Sequence, residues 1–329
     1  MRKRLLSGMR PTGSMHLGHL VGALENWVAL QKKYDCFFMI ADWHAFMSEY
    51  ENPKALEEFS VEMLADWLSC GIDCEKSVVF VQSHVKEHLE LDKVLACITP
   101  LSLLERNPTY KEQLRELKGR DLTTYGFLGY PVLQAADILI YKASVVPVGM
   151  DQRAHLELTR EIVRKFNNLY GEIFPEPETL LTETPKLLGL DNRKMSKSFG
   201  NFIALRDEPD AIKKKVMQMI TDPEKIHLDD AGHPDICNVF SCYKAFVPDM
   251  AKNIYGPCSG GTRGCIKCKQ ELADILINKL EPIREKRKNL LKDKSVLLAV
   301  IKRGNEKARD AAFRTMKEVR EKVGVFHDL

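Results

Sequence analysis

Two short stretches of this 329-residue chain carry the residue types that phosphate chemistry needs. The first runs Gly8-Met9-Arg10-Pro11-Thr12-Gly13-Ser14-Met15-His16-Leu17-Gly18-His19, and the second is Lys194-Met195-Ser196-Lys197-Ser198. A buried strand is predicted just before the first, from Arg4 to Leu6. After it, Leu20, Leu24, Trp27, Val28 and Leu30 recur at helical spacing. The stretch therefore sits on a strand-to-helix turn, with Pro11 and Gly13 supplying the turn. A helix start presents free backbone N–H groups and a positive dipole end, both suited to phosphate. His16 and His19 can donate to phosphate oxygens as negative charge develops. Gly18 leaves a flat patch where a planar base could lie. Alone, the His-x-Gly-His tetrad is equally explained by a helix start with two solvated histidines. Answered downstream by a lysine loop, in that order and separation, it points to nucleotide chemistry.

Further polar groups stand where an open α/β sheet builds its sites. The apolar run Cys36 to Ala41 reads as a buried parallel strand and ends in Asp42-Trp43-His44. Ser144 to Val148 reads as another, followed by Gly149-Met150-Asp151-Gln152. Between them, Tyr130, Gln134 and Asp137 fall on one face of a mostly apolar helix, at i, i+4 and i+7. The apolar surroundings of Asp137 argue against a water-facing stripe and for a functional carboxylate.

Nine cysteines make an odd count. Cys36, Cys70, Cys74 and Cys97 are scattered in apolar segments and read as small buried hydrophobes. Cys237, Cys258, Cys265 and Cys268 follow the spacing C-x20-C-x6-C-x2-C through a stretch rich in Gly and Pro. Thiols so close in a reducing compartment share a metal more readily than a disulfide. Structural zinc often uses two Cys-x-x-Cys knuckles, and here there is one. Four thiolates equally suit a [4Fe–4S] cluster. Cys242 is assigned to a helix interior.

The positioning elements follow. Asn52 and Pro53 open a helix that runs to about Ser69 and stops at Gly71, and Ser77 to Gln82 is a third strand. Alternation of strand and helix predicts α/β architecture, a doubly wound parallel sheet. Val85 to Leu117 reads as helical with breaks at Pro100 and Pro108. Gly119 to Gly129 reads as a polar loop, Gln152 to Asn167 as a helix, and Pro175 to Pro185 as a surface crossing. Beyond Asp207 the strand signal ends. Helices are predicted around Asp210 to Ile220, Asn238 to Phe246, Lys269 to Leu290 and Asn305 to Lys322, the last able to pack back on the sheet. A hydrophobic content of 44% with 29% charged residues is ordinary for a soluble globular protein. Met-Arg-Lys-Arg running straight into a strand is no signal peptide, and no apolar run reaches membrane-spanning length, so a cytoplasmic place is expected. Net charge is +3, but Glu271 to Leu329 holds 15 Lys/Arg against 10 Asp/Glu, an excess of +5. Such an excess fits a polyanion such as RNA, or a solvated helical face.

Together, the His16–His19 turn, Asp42-Trp43-His44-Ala45, Tyr130-Pro131-x-Leu133-x-Ala135-Ala136-Asp137, Gly149-x-Asp151-Gln152 and the Lys194–Ser198 loop resemble bacterial tryptophanyl-tRNA synthetases of class I. The match spans about the first 200 residues. It implies a Rossmann-like catalytic domain over residues 1–193. Residues 194–329 would hold the lysine loop and an all-helical anticodon-binding domain. It implies that ATP activates tryptophan and that tRNA(Trp) receives it, with Mg²⁺ accompanying ATP. By the resemblance, His16, His19, Lys111, Lys194 and Lys197 serve the phosphates. Arg10, Pro11, Thr12, Gly18, Leu187, Gly149, Met150, Asp151, Met195, Ser196 and Ser198 complete the ATP site, with Gly18 and the Leu187 backbone on adenine and Gly149 and Asp151 on ribose. Leu6, His44, Tyr130, Gln134, Asp137 and Gln152 would hold tryptophan, Asp137 accepting the indole N–H. Leu6 and Arg10 stand where many relatives have phenylalanine and glutamine. A subset of the family carries the four-cysteine pattern with a [4Fe–4S] cluster, which favours iron–sulfur over zinc, and the family resemblance implies a homodimer. The alternatives are a tyrosine-activating relative, a small-molecule nucleotidyltransferase, and a non-enzymatic RNA-binding or redox-sensing protein.

Overall fold

In the computed structural model, the described residues are 2–108, 110–111, 123–149, 153–181, 187–197 and 199–325. Strands β1 (Arg4–Met9), β2 (Asp35–Ile40), β3 (Ser77–Val81), β4 (Val145–Val148) and β5 (Glu178–Leu181) form one parallel sheet in the order β3-β2-β1-β4-β5. Each strand is short, and Cys36 to Ile40 of the interior strand β2 are all buried, as a sheet covered on both faces requires. Strand order reverses between β1 and β4, so the carboxyl ends of these two strands open the crevice where such sheets bind ligands. The motifs that follow β1 and β2, and Gly149 after β4, lie at that edge.

One face of the sheet packs on the first helix, where Trp27 stacks on Phe38 at 4.6 Å and meets Trp67 edge-on at 5.1 Å. Helix Leu56–Ser69 continues this core and joins it to the long helix Cys265–Lys292. The other face carries helices Glu87–Ile98, Tyr125–Ile140 and Arg153–Tyr170. The last helix, Lys294–Val323, returns to this face and covers the edge strand β3. Asn305 Oδ1 accepts from the Val81 backbone N–H at 2.9 Å, and Gly304 lies so close that a Cβ would stand 1.7 Å from the Val79 carbonyl oxygen. An edge strand's open backbone groups are thereby covered.

A helix over Pro248–Ser259 stands where none was predicted, and three further elements differ. Strand β5 lies inside the stretch read as a surface crossing; it is four residues long and only half-buried, so it has no apolar run to read. The helix bearing Asp137 starts at Tyr125, inside the predicted polar loop, because Thr124 caps it by accepting from the Phe127 N–H at 3.3 Å. The last helix starts at Lys294, not Asn305, with Asp293 accepting from Ser295 N–H at 3.0 Å. Among the early cysteines Cys36 is buried, but Cys70 and Cys74 are half-buried and Cys97 is exposed on its helix, correcting their reading as buried hydrophobes.

The basic excess of the last two helices is partly engaged within the fold. Arg287 pairs with Asp66 at 2.7 Å, Lys279 with Glu25 at 3.1 Å, Arg303 with Glu75 at 2.6 Å and Arg320 with Glu90 at 2.6 Å. These cations dock the helices on the sheet domain. Among the described residues, no helix is long and apolar enough to cross a membrane.

Candidate active site

The turn after β1 is built from its own backbone. The Gly18 N–H donates to His16 Nδ1 at 3.1 Å, and the His16 N–H donates to His19 Nδ1 at 3.2 Å. A backbone N–H can only donate, so both Nδ1 atoms accept and, in the neutral rings, both protons sit on Nε2. The rings lie 3.8 Å apart. Burial lowers His16 to about 4, with Lys197 adding to the shift. His19 is held well below the ordinary histidine range by burial, then by His16 and Lys197. At neutral pH the turn thus offers two uncharged N–H donors. Gly18 is required because a Cβ there would meet the His16 ring at 3.0 Å, and Gly13 turns the chain with φ +106°.

The lysine loop is stitched to this turn. His16 pairs with Ala204 in an antiparallel bridge, Leu17 N–H donates to Ile203 O at 3.1 Å, and Leu205 N–H donates to Met15 O at 2.9 Å. Lys197 Nζ donates to the Gly13 carbonyl oxygen at 2.8 Å. Burial, then the charge of Arg10, lowers Lys197 to about 8. The loop itself is organised by Asn201, a buried residue that the motif reading missed. Its Oδ1 accepts from Ser196 N–H at 2.9 Å, and its Nδ2 donates to Asp191 at 2.6 Å and to Lys194 O at 3.2 Å. Only the tertiary structure exposes this role, since an asparagine three positions past Ser198 carries no distinctive signal alone.

On the other side of β1 the helix Tyr125–Ile140 brings Asp137 against the end of β2. Asp137 is 1% exposed, and its carboxylate takes three donors. His44 Nε2 lies 2.7 Å from Oδ2, while His88 Nδ1 at 2.6 Å and Gln82 Nε2 at 2.8 Å meet Oδ1. Burial would raise this carboxyl, but the facing His44 and His88 outweigh it and hold it below the usual range. Tyr130 stands edge-on to His44 at 5.0 Å and to His155 at 5.1 Å. Leu6 is buried in the same core as Ala135 and Ala136 of the Asp137 helix. Among the described residues His44 Nδ1, Gln82 Oε1 and Gln134 Oε1 are buried without a hydrogen-bond partner, leaving acceptor atoms for a bound group. Gln82 and His88 were not singled out in the sequence. A Gln-Ser-His end to β3 is the one signal that could have found the first.

Other predicted residues are placed less tightly. Pro11 is buried and Arg10 exposed, with Thr12 N–H closing a turn onto Arg10 O at 2.9 Å. Leu187 gives its carbonyl to Met195 N–H at 3.1 Å, which ties the backbone predicted for adenine to the lysine loop. Lys194 is exposed, and Gly149 follows β4 at the crevice. Lys111 is exposed, its N–H donating to Asn107 O at 3.4 Å, and among the described residues no hydrogen bond or ion pair joins it to either signature turn. Met150, Asp151, Gln152 and Ser198 lie outside the described residues.

Cys237, Cys258, Cys265 and Cys268 line one cavity, shared with Phe240 and Arg263. Arg263 Nε donates to Cys268 Sγ at 2.7 Å and pairs with Glu271. Burial pushes the Cys237, Cys258 and Cys268 thiols up. Among the described residues, no three His, Cys, Asp or Glu side chains are grouped to hold a metal ion. Cys242 is fully buried, as assigned.

Residues 2–281 match the family of class I tRNA synthetases (W and Y). A tryptophan–tRNA ligase of Thermotoga maritima is 49% identical over 98% of this chain and 99% of its own length. One from Aquifex aeolicus is 44% identical over 98% of this chain and 100% of its own. Among solved structures, tryptophanyl-tRNA synthetase of Campylobacter jejuni complexed with ADP and tryptophan superposes with a TM-score of 0.88 at 36% identity, covering 98% of this chain and 100% of that one.

Proposed function

The chain belongs to the class I tRNA synthetases of tryptophan and tyrosine, and from that premise we propose how its residues divide the reaction. It is an aminoacyl-tRNA synthetase that ligates tryptophan to tRNA. The single observation that supports the residue assignment is the meeting of the His16–His19 turn with the lysine loop, through Lys197 and Gly13, at the carboxyl end of β1. Tryptophan's carboxylate oxygen attacks the α-phosphorus of ATP, and the bond to pyrophosphate breaks. A hydroxyl of the terminal tRNA ribose then attacks the adenylate's carbonyl carbon, releasing AMP. The attacking carboxylate is already ionised at neutral pH, so the first step needs no general base. Positioning and charge neutralisation suffice.

The neutral Nε2–H groups of His16 and His19 point this chemistry at the α-phosphate. Lys194, Lys197 and Ser198 hold the departing pyrophosphate, with Lys111 and Arg10 as further cations and Mg²⁺ carried in by ATP to offset its charge. Gly18, Pro11, Thr12, Leu187, Met195 and Ser196 frame the base and phosphates, and Gly149, Met150 and Asp151 the ribose. Tryptophan lies between His44 and Tyr130, with Leu6, Gln134 and Gln152 around it and Asp137 accepting the indole N–H. An acceptor buried to this degree is left short of a partner when phenylalanine binds, which disfavours that substrate. Tryptophan-dependent exchange of pyrophosphate into ATP, compared with tyrosine and phenylalanine, tests the reading. Exchange with tyrosine at or above that with tryptophan overturns it.

For the cysteine cavity we propose a [4Fe–4S] cluster held by Cys237, Cys258, Cys265 and Cys268. What supports it is that the four thiols line one cavity. These thiols would hold the cluster, which would cross-link three helices, one capped by Cys237 and two carrying the others, in the region proposed to recognise the anticodon. We also propose a cytoplasmic homodimer, which sedimentation at working concentration reads.

A further inference from the structure

The indole acceptor is held from behind by a chain of side chains that never reaches the crevice. His88 is fully buried. Its Nδ1 lies 2.6 Å from Asp137 Oδ1, and its Nε2 lies 2.7 Å from the Tyr141 hydroxyl. The ring is confined on both sides. Phe80 stacks on it at 6.0 Å, and Tyr141 stands edge-on at 5.3 Å. Tyr141 is itself fully buried between Phe37 at 4.8 Å and Phe80 at 5.3 Å, and its carbonyl accepts from Arg4 Nη1 at 2.8 Å. Neither ring can turn without emptying part of the core.

Donor and acceptor roles along this chain are determined by its end. An ionised Asp137 only accepts, so His88 Nδ1 must carry a proton. In the neutral ring Nε2 is then bare, and the Tyr141 hydroxyl must donate to it. Without that donor Nε2 becomes a buried lone pair with no partner, and the ring loses one of the two bonds that hold its tilt toward the carboxylate. A buried apolar position with two fixed hydrogen bonds is costly unless both are satisfied. The arrangement therefore selects one tautomer and one carboxylate orientation.

We infer that Tyr141 and His88 are positioning residues for tryptophan selectivity: the Tyr141 hydroxyl anchors the far edge of the His88 ring, whose Nδ1–H aims Asp137 at the indole N–H. The inference rests on the reading of Asp137 as the indole acceptor. Neither residue touches substrate. Their contribution is to keep a fixed acceptor where a mobile one would adapt to other side chains.

Pyrophosphate exchange measured with tryptophan and with its benzothienyl analogue, in which sulfur replaces the indole N–H, separates the two levels. Wild-type enzyme should strongly prefer tryptophan; no preference there overturns the Asp137 reading itself. Given that preference, Tyr141→Phe should lower the ratio of kcat/KM for tryptophan over the analogue by roughly tenfold, the scale of one hydrogen bond to a charged group. The change should appear in KM for tryptophan, with KM for ATP unaltered. His88→Asn keeps a donor facing Asp137 and should retain more selectivity than His88→Leu. An unchanged ratio in folded Tyr141→Phe, or equal loss of both substrates, overturns the positioning role even where the His88 variants fail to fold.

Discussion

The ammonium of Lys197 donates to the carbonyl oxygen of Gly13 at 2.8 Å, across 184 residues of sequence. The two signature turns therefore touch, and the lysine proposed for the pyrophosphate rests on the turn proposed for the α-phosphate. Nearby Arg10 and burial make that charge expensive to keep. A polyphosphate entering between the turns would replace a single carbonyl dipole with full negative charge.

Because Lys197 titrates at about 8 in the free enzyme, kcat/KM for ATP should fall as pH rises through about 8. Lys197→Arg, which cannot lose its proton in this range, should remove that basic limb. Lys197→Ala should slow adenylate formation by roughly 2.7–4 kcal/mol of barrier with little change in tryptophan affinity without ATP. Stability carries the same signature with a definite sign. Between about 8 and the free-lysine value of 10.5 the unfolded chain binds more protons than the folded one, so stability from this group rises with pH across that window. A single-turnover activation rate unchanged in the alanine variant would remove the loop from the mechanism.

Asp137→Ala should impair use of tryptophan far more than use of ATP. It also strands His44, His88 and Gln82 donors in the core, so a loss of stability of about 1–3 kcal/mol is expected alongside. Its carboxyl is held low in the fold, so its contribution to stability is complete above the unfolded value of 3.8 and is lost as pH falls below it. Wild-type discrimination against phenylalanine in the variant would refute the indole contact.

Gly304→Ala tests the covering of the sheet edge. The added methyl would overlap the Val79 carbonyl, which as backbone cannot move aside. A loss of about 3 kcal/mol is expected, read as a lower Tm and earlier proteolysis near Lys294. A variant as stable as wild type would show that the helix does not bear on β3.

Protein purified without oxygen should be brown, with broad visible absorption bleached by dithionite. Replacing Cys258 with Ser should diminish that absorption and weaken tRNA charging more than adenylate formation. A colourless protein with one tightly bound zinc per chain would overturn the iron–sulfur assignment while keeping the four ligands.

By itself the sequence determined where the candidate groups stand along the chain. His16 and His19 after β1, His44 after β2 and Asp137 on an apolar helix were legible because short-range periodicity places them at strand ends and on one helical face. The four cysteines were legible because spacing alone limits what thiols can do. Only the tertiary structure decided how these groups are tuned. The Nε2 protons of the histidines follow from backbone N–H groups that the turn happens to aim, and the depressed Lys197 from a burial made by packing against Gly13. Asn201, Gln82, His88 and Tyr141 were silent for the same reason. Each is an ordinary residue whose role comes from partners distant in sequence, such as the 55 positions separating Gln82 from Asp137 and the 53 separating His88 from Tyr141. Strand β5 was likewise invisible, since four residues on a half-buried edge owe their conformation to pairing with β4 and not to their own pattern.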